Sequence, residues 1–255
     1  TLRWMLHQNG PLYFLLLRGW VALTGTSEYA LRFFSLAFGV LCVPLTYILG
    51  CRLFDRDVGL STALLVTTSP YLTWYAQEVK MYTLVPALTL LAVYGLRRAV
   101  EGAGRRWWGV QIAATTLAFY CHILAALLIP VQVLFCLIWW PEARKRWKGA
   151  LVSLASLTLP YLPLAAWQIP LMFQERETGF YPYSLGAMVQ ILFNGWGLGI
   201  TDWGWPWGAI LMGVLAWWGL VSPFCTSREG RKNILILIAW LVVPLLTVWF
   251  ISLRQ

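Results

Sequence analysis

The chain has 255 residues, of which 60% are hydrophobic and 11% are charged, and its formal net charge is +9. Soluble domains carry about 25% charged residues, so this composition excludes a soluble globular protein and indicates an integral membrane protein. The basic residues lie in short loops between apolar runs, as the positive-inside rule requires, so the net charge does not indicate a nucleic-acid partner.

The N-terminal region predicts a turn followed by a short apolar helix. His7 precedes a turn pattern, and the apolar stretch 11–24 starts at Pro11, a residue that suits the first turn of a helix. This stretch is short for a membrane span. We expect residues 1–30 to form an outer segment with a juxtamembrane helix at the membrane interface.

Eight further apolar runs approach or reach the roughly 17–25 residues that cross a bilayer. They are 31–51, 59–75, 82–97, 107–121, 123–140, 150–168, 207–224 and 233–252. We predict an all-α, polytopic transmembrane helix bundle of about eight spans, with interfacial helices in its outer loops. Residues 1–255 would form one domain, with a six-span core at 31–168, an outer loop at 169–206 and C-terminal spans at 207–255. An amphipathic pattern at 184–195 predicts an interfacial helix within that loop. The chain opens without a methionine and stops soon after an apolar run, so we interpret it as a fragment truncated at both ends.

Lysine and arginine are distributed unevenly between alternate loops, which predicts the orientation of the chain. Thirteen of the nineteen basic residues fall in one set of loops, which should therefore be cytoplasmic. The other set contains 74–82, the 121–123 junction and 169–206, and should face the outside. The basic residues of the cytoplasmic set are Arg52, Arg56, Arg97, Arg98, Arg105, Arg106, Arg144, Lys145, Arg146, Lys148, Arg228, Arg231 and Lys232.

The polar residues of the chain point to chemistry on the outer face. The cytoplasmic loops contain no glycine-rich phosphate motif that would hold ATP or a nucleotide-sugar. The substrates should then arrive from the lipid or from the extracytoplasmic space. The outer side carries Glu28, Glu78, Lys80, Glu175, Arg176, Glu177, Asp202, His7 and His122.

The segment from Trp74 to Tyr82 is the leading candidate for a site. It places Glu78 and Lys80 two positions apart at a membrane boundary, together with an amide and aromatic rings. Charges at such depths are costly and are often functional. Lys80 suits a lipid phosphate as a point charge, and Glu78 suits a divalent ion or a sugar hydroxyl. The alternative is a surface ion pair within an interfacial anchor.

Tyrosine and histidine residues complete the candidate site. Tyr75 and Tyr82 suit stacking on a sugar, or anchoring of helix ends. His122 lies at the turn between two runs, where it can ligate a metal or accept a proton, or can serve only as an interfacial residue. Two histidines and a glutamate can make a three-ligand metal site, although nothing in the sequence requires His7, Glu78 and His122 to converge.

With these residues in view, the chain resembles a GT-C superfamily glycosyltransferase of the dolichyl-phosphate-mannose protein mannosyltransferase type. Within that type it is similar to the bacterial branch containing the aminoarabinose transferase of lipid A. The resemblance covers roughly residues 1–140 and rests on three stretches. They are His7 with Asn9-Gly10-Pro11-Leu12-Tyr13-Phe14, Trp20 and Ser27-Glu28-Tyr29-Ala30-Leu31-Arg32; Ser69-Pro70 with Tyr75 to Tyr82; and Tyr120-Cys121-His122-Ile123.

The resemblance implies an inverting transfer of a sugar from a polyprenyl-phosphate-linked donor to an extracytoplasmic hydroxyl of a lipid, glycan or protein. Lys80, where the family usually has arginine, would contact the donor phosphate. The other substrate-binding residues would be Tyr75, Gln77, Glu78, Tyr82, His7 and His122. Glu78 and His122 are the candidate ligands of a divalent ion.

The catalytic base of such an enzyme should be an acidic residue in the first outer loop. Glu28 does not match that position, so we expect the base upstream of Thr1 and the activity to require the longer protein. The expected location is the cell (inner) membrane, with the active face outside. A transporter or lipid flippase is the alternative; the charges avoid the centres of the spans and no repeat is evident, which disfavours it. A non-catalytic scaffold is the third possibility.

Overall fold

The computed structural model describes residues 10–172, 183–199 and 207–252. Regular structure within these ranges is helical, as predicted, and none of the described residues forms a strand. The α-helices are α1 (Leu12–Thr24), α2 (Glu28–Leu53), α3 (Arg56–Thr67), α4 (Pro70–Ala76), α5 (Leu84–Glu101), α6 (Arg106–Cys121), α7 (Leu128–Ile138), α8 (Trp140–Arg144), α9 (Trp147–Met172), α10 (Leu185–Leu198), α11 (Trp207–Thr226) and α12 (Arg228–Ser252), with a 3₁₀ turn at Ile123–Leu127. Five polar residues named above lie outside the described residues: His7, Glu175, Arg176, Glu177 and Asp202.

The predicted run 59–75 forms two helices rather than one. It divides between α3 and α4 because Ser69 precedes Pro70, and a residue before proline is driven out of the helical region. Ser69 has φ −65° and ψ 114°, and its side chain caps α4 by accepting a hydrogen bond from the N–H of Leu72 at 3.3 Å. A short helix therefore leads directly into the segment of Glu78 and Lys80.

The run 123–140 starts after a break at the predicted junction 121–123, and its first residues form a 3₁₀ turn rather than an α-helix. His122 leaves the helical conformation at φ −153° and ψ 128°, and the chain resumes as a 3₁₀ turn before α7 begins at Leu128. The interruption allows the chain to reverse at His122 without a long loop.

Two of the described helices are long and apolar enough to cross a membrane by length and composition: Glu28–Leu53 and Arg228–Phe250. Both expose apolar side chains, such as Val40, which is 61% exposed. The shorter apolar helices are Leu12–Thr24, Ile123–Ile138, Leu185–Leu198 and Trp207–Gly219. The prediction of about eight spans thus stays a prediction for the remaining runs.

The loops predicted to be cytoplasmic meet at one end of the bundle, which we call the basic end. Its centre is Arg97, which is only 3% exposed and whose guanidinium carbon lies 3.5 Å from the ring centroid of Trp139. Ion pairs join α2, α5, α12 and the start of α8. They are Arg52 with Glu101, Arg97 with Glu101 and Glu229, and Lys232 with Glu142. The apolar cluster beside them is Leu49, Leu53, Val93, Leu96, Val100, Phe135, Trp139, Ala143 and Ile236.

A buried polar network joins α6, α7 and α9 within the bundle. Gln111 donates to Gln132 at 2.6 Å, Gln132 donates to the hydroxyl of Thr115 at 2.8 Å, and Thr115 donates back to the carbonyl oxygen of Gln111. The hydroxyl of Ser153 donates to the side-chain oxygen of Gln111. All four residues are at most 5% exposed. Such polar contacts between helices fix their rotation and register in surroundings where apolar contact alone is not selective.

Candidate functional site

The segment between α4 and α5 is irregular, which allows its polar side chains to share one side. Helix α4 ends at Ala76, and α5 starts at Leu84. The N–H of Lys80 donates to the carbonyl oxygen of Glu78 at 2.9 Å, which closes a tight turn. In a helix these two side chains would lie on different faces. The turn brings them together instead.

Glu78 and Lys80 form an ion pair, with 3.2 Å between Nζ and Oε2. The other oxygen of Glu78 accepts a hydrogen bond from the indole N–H of Trp74 at 3.2 Å. The side chain of Lys80 is 53% exposed and that of Glu78 is 31% exposed, so the contribution of this pair to stability is at most about 1 kcal/mol. The interaction with the carboxylate of Glu78 raises the pKa of Lys80. The lysine therefore presents a permanent, accessible positive charge.

Three tyrosines line the same segment. The rings of Tyr71 and Tyr75 meet edge to face at 4.7 Å between centroids, and those of Tyr75 and Tyr82 do so at 4.6 Å. The ammonium of Lys80 lies 5.6 Å from the ring centroid of Tyr82, within the range of a cation–π contact. Tyr71 was not among the predicted site residues. Its spacing of four from Tyr75 on a helix is the signal that predicts this contact.

A chain of hydrogen bonds beneath the segment ties it to α1 and α2. The hydroxyl of Ser35 donates to the carbonyl oxygen of Lys80 at 3.3 Å, which leaves the hydroxyl of Tyr13 as the donor to Ser35 at 2.7 Å. Thr83 donates to the carbonyl oxygen of Ser35 at 2.8 Å. Tyr13, Ser35 and Thr83 are fully buried. Sequence reasoning missed Ser35, although a serine inside the apolar run 31–51 is a usable signal.

His122 occupies the turn between α6 and the 3₁₀ turn. Its Nδ1 accepts a hydrogen bond from the N–H of Leu124 at 3.2 Å, so the neutral ring carries its proton on Nε2. Burial lowers the pKa of His122. The ring is therefore neutral near pH 7, and its Nε2–H is the group left to meet a ligand.

Gly10, which precedes α1, is attached to the same place. The N–H of Gly10 donates to the carbonyl oxygen of Cys121 at 3.0 Å. A Cβ on Gly10 would lie 1.9 Å from the carbonyl oxygen of Tyr120, so only glycine fits this approach. His7 lies three positions before Gly10, outside the described residues.

The three stretches that carry the family resemblance thus converge on one end of the bundle. Tyr13, Met81 and Cys121 each come from one stretch, and together with Leu84 they form a single buried cluster. We call this the motif end. It contains the segment of Tyr75, Gln77, Glu78, Lys80 and Tyr82, and the turn of His122.

No group of three or more His, Cys, Asp or Glu residues suited to a metal ion occurs among the residues that the structure describes. Glu78 and His122 share the motif end, but no hydrogen bond joins the two side chains in that part of the chain. Metal binding by this pair stays a prediction.

The amphipathic pattern at 184–195 forms a helix beside the site, as predicted. Helix α10 is capped by Ser184, which accepts a hydrogen bond from the N–H of Ala187 at 3.2 Å. It packs on α4, with Gly195 facing the ring of Tyr71 and Gly199 facing Pro70. Helix α10 thus packs against the side of α4 that carries Pro70 and Tyr71.

The helical fold, the exposed apolar faces and the two helices long and apolar enough to cross a bilayer are typical of a helical membrane protein. The chain belongs to the dolichyl-phosphate-mannose-protein mannosyltransferase family, whose model matches residues 8–170, more than half of the chain. The match contains most of the three stretches, and it extends past the limit near residue 140 that the motifs suggested. No curated protein and no solved structure matches the chain. Members of this family are membrane glycosyltransferases that use a lipid-linked sugar donor and an acceptor.

Proposed function

We propose that this protein transfers a sugar from a polyprenyl-phosphate-linked donor to an extracytoplasmic hydroxyl group, with inversion at the anomeric carbon. The observation that carries the proposal is the convergence of the three family stretches on the motif end, where Lys80 presents an accessible positive charge. The acceptor is a lipid, a glycan or a protein.

Lys80 would bind the phosphate of the donor and stabilise its charge as the sugar departs. Charge that develops on a leaving group is best stabilised by a group already held in place. The ion pair with Glu78 and the ring of Tyr82 hold the ammonium of Lys80 in this way. Glu78, oriented by Trp74, is then available to a sugar hydroxyl or to a divalent ion.

The tyrosines and the two polar neighbours would bind the sugar. Tyr75 and Tyr82 supply ring faces and edges for stacking, and Gln77 supplies an amide at the end of α4. His122 would contact the substrate through its Nε2–H. The resemblance assigns deprotonation of the acceptor to a carboxylate upstream of Thr1, and the divalent ion remains part of this proposal.

The proposed membrane arrangement has about eight spans in one domain, with the motif end outside the cytoplasm and the protein in the cell (inner) membrane. It is supported by the separation of the two ends of the bundle. Loops rich in lysine and arginine meet at the basic end, and the positive-inside rule assigns such loops to the cytoplasm.

The test is transfer of radiolabelled sugar from polyprenyl-phosphate donors by the full-length protein in membranes. Lys80→Ala should reduce turnover by about 10²-fold or more, as for other lost charge-stabilising groups. Lys80→Arg should retain most of the activity because it keeps the charge. Lys145→Ala, a change of the same kind at the basic end, is the control.

Equal turnover in Lys80→Ala and the parent would remove the role assigned to Lys80. Failure of the unaltered protein to transfer sugar from any polyprenyl-phosphate donor, together with movement of that donor across the bilayer, would favour the flippase instead.

A further inference from the structure

A cavity of about 610 Å³ opens at the basic end, far along α5 and α6 from the motif end. It lies between the α5–α6 connection and the start of α9. Three of its lining residues are basic and none is acidic: Arg105, Arg146 and Lys148. The remaining walls include Ala99, Trp108 and Val152. The cavity therefore combines a positive mouth with an apolar wall.

The positive charge of this cavity is not neutralised by the glutamates nearby. Glu101, Glu142 and Glu229 pair with other cations of the basic end. Within the described part of the chain, none of the three basic residues Arg105, Arg146 and Lys148 forms an ion pair with a carboxylate. Three like charges facing one space repel each other, and an anion bound between them removes that repulsion.

Arg146 is held rigidly at the cavity. Its Nη1 donates to the carbonyl oxygen of Val100 at 2.9 Å. Its guanidinium covers Gly102, where a Cβ would lie 1.9 Å from Nη2, and Gly102 has a φ of +89°. Because the arginine is already ordered, little side-chain entropy remains to be lost when it binds a ligand.

The start of α6 adds to the positive potential. Arg105 is the N-cap residue of α6, and no side chain caps this helix end. The aligned peptide dipoles of the helix place a partial positive charge at this end, although the N–H groups of Trp107 and Trp108 already donate to the carbonyl oxygens of Gly104 and Arg105. The three side chains and this helix end therefore surround the same space.

The apolar wall continues along the exposed apolar surface of α9. Val152 is 63% exposed on α9. Trp108 lines both this cavity and a second cavity of about 290 Å³ whose walls include Leu137, Leu151 and Leu154. An acyl chain that leaves the basic mouth thus meets apolar side chains on both sides of α9.

We propose that this cavity binds the phosphate of an anionic membrane phospholipid, with the acyl chains of the lipid lying along α9. Basic pockets between helices at a membrane surface are suited to such headgroups, and an arginine fork matches phosphate oxygens. The site is separate from the proposed sugar transfer, and it would hold the protein to the anionic leaflet on the side of the basic loops.

The test is a lipid titration: phospholipid is added to the full-length protein in detergent, and native mass spectrometry measures the fraction of protein with lipid bound. The ligands are phosphatidylglycerol and phosphatidylcholine with identical acyl chains. The variant is Arg105→Gln with Lys148→Gln, two exposed side chains whose loss should leave the fold intact. Lys145→Gln, at an exposed position just before α9 but outside the cavity, is the matched control. A thermal unfolding midpoint without added lipid checks that each variant is folded.

We expect tight, saturable binding of phosphatidylglycerol and about 30-fold weaker binding in the double variant, from the usual contribution of each basic residue at a membrane surface. Lys145→Gln should bind as the unaltered protein does, and millimolar inorganic phosphate should not displace the lipid. Equal binding of the two lipids, unchanged binding in the double variant, or displacement by inorganic phosphate would each overturn the proposal. Because the readout is lipid binding, the result is independent of whether the protein transfers sugar.

Discussion

The N–H of Gly10 donates a hydrogen bond to the carbonyl oxygen of Cys121, with 3.0 Å between nitrogen and oxygen. This contact joins the turn that follows His7 to the residue that precedes His122. Gly10 and Cys121 are far apart in sequence, yet their backbones meet at this point. Gly10 and the start of α1 are therefore attached to the candidate site.

Gly10→Ala should separate α1 from the end of α6. The added Cβ would lie 1.9 Å from the backbone oxygen of Tyr120, which cannot move aside as a side chain can. We expect a loss of about 1–3 kcal/mol in the free energy of unfolding and reduced sugar transfer. Gly19→Ala is the control, since a Cβ there meets nothing within 4 Å. It should stabilise α1 by up to about 1 kcal/mol. Thermal unfolding in detergent measures the stability of both variants. Equal changes in the unfolding midpoint for Gly10→Ala and Gly19→Ala would refute the packing argument.

Tyr13→Phe should weaken the support beneath Lys80 without changing its charge. The substitution removes the hydroxyl that donates to Ser35 and leaves Ser35 with one partner fewer. We expect a cost of about 1 kcal/mol or slightly more, as for a buried hydrogen bond. A double-mutant cycle with Ser35→Ala should give a coupling energy of roughly 0.5 kcal/mol or more. Additive effects would show that the two hydroxyls do not cooperate.

The stability of the protein should depend on pH through His122. Burial lowers its pKa in the folded state below the ordinary value of 6.5, so the unfolded chain binds more protons between those two pKa values. Stability should then be fully present above about pH 6.5 and be lost progressively as the pH falls towards the folded pKa.

His122→Asn is the matched variant for this pH dependence. Asparagine can still accept the hydrogen bond from the N–H of Leu124, but it does not titrate. Unfolding midpoints measured from pH 5 to pH 8 should fall less steeply on the acid side in the variant. Parallel curves for the two proteins would assign the acid sensitivity to other groups.

Arg97→Met should destabilise the basic end far more than Glu229→Gln. The side chain of Arg97 is 4% exposed, and that of Glu229 is 63% exposed although the two form an ion pair. Breaking a buried pair costs about 3–5 kcal/mol. Arg52 and Arg98 still neutralise Glu101 in Arg97→Met, so we expect the loss of the ion pairs to cost about 3 kcal/mol, the lower limit of this range. The variant also loses the contact of the guanidinium with Trp139. Glu229→Gln should cost at most about 1 kcal/mol. Similar unfolding midpoints for the two variants would contradict this ranking.

Much of the fold could be predicted from the sequence because it depends on local patterns. The apolar runs predicted the helices, and the amphipathic pattern at 184–195 predicted α10. The break before Pro70 was also predictable, since the restriction on Ser69 is local. The interpretation of 59–75 as one run followed its composition and overlooked that signal.

The details of the site could be predicted only in part, because they depend on contacts between distant segments. The pair of Glu78 and Lys80 was visible in the sequence, but nothing in the sequence required the turn that brings the two side chains together. The support from Tyr13 and Ser35, and the approach of Gly10 to Cys121, require the packing of α1 against α2 and α6. No pattern within one segment encodes those contacts.

The hydrogen-bonded network of Gln111, Thr115, Gln132 and Ser153 has a consequence for how this protein can vary. Each of these side chains completes the bonding of another, so replacing one with an apolar residue leaves its partner with a buried group that nothing satisfies. Replacing several at once can avoid that cost. Relatives of this chain should therefore keep these polar positions together or exchange them together, and a relative with a single one altered should be rare.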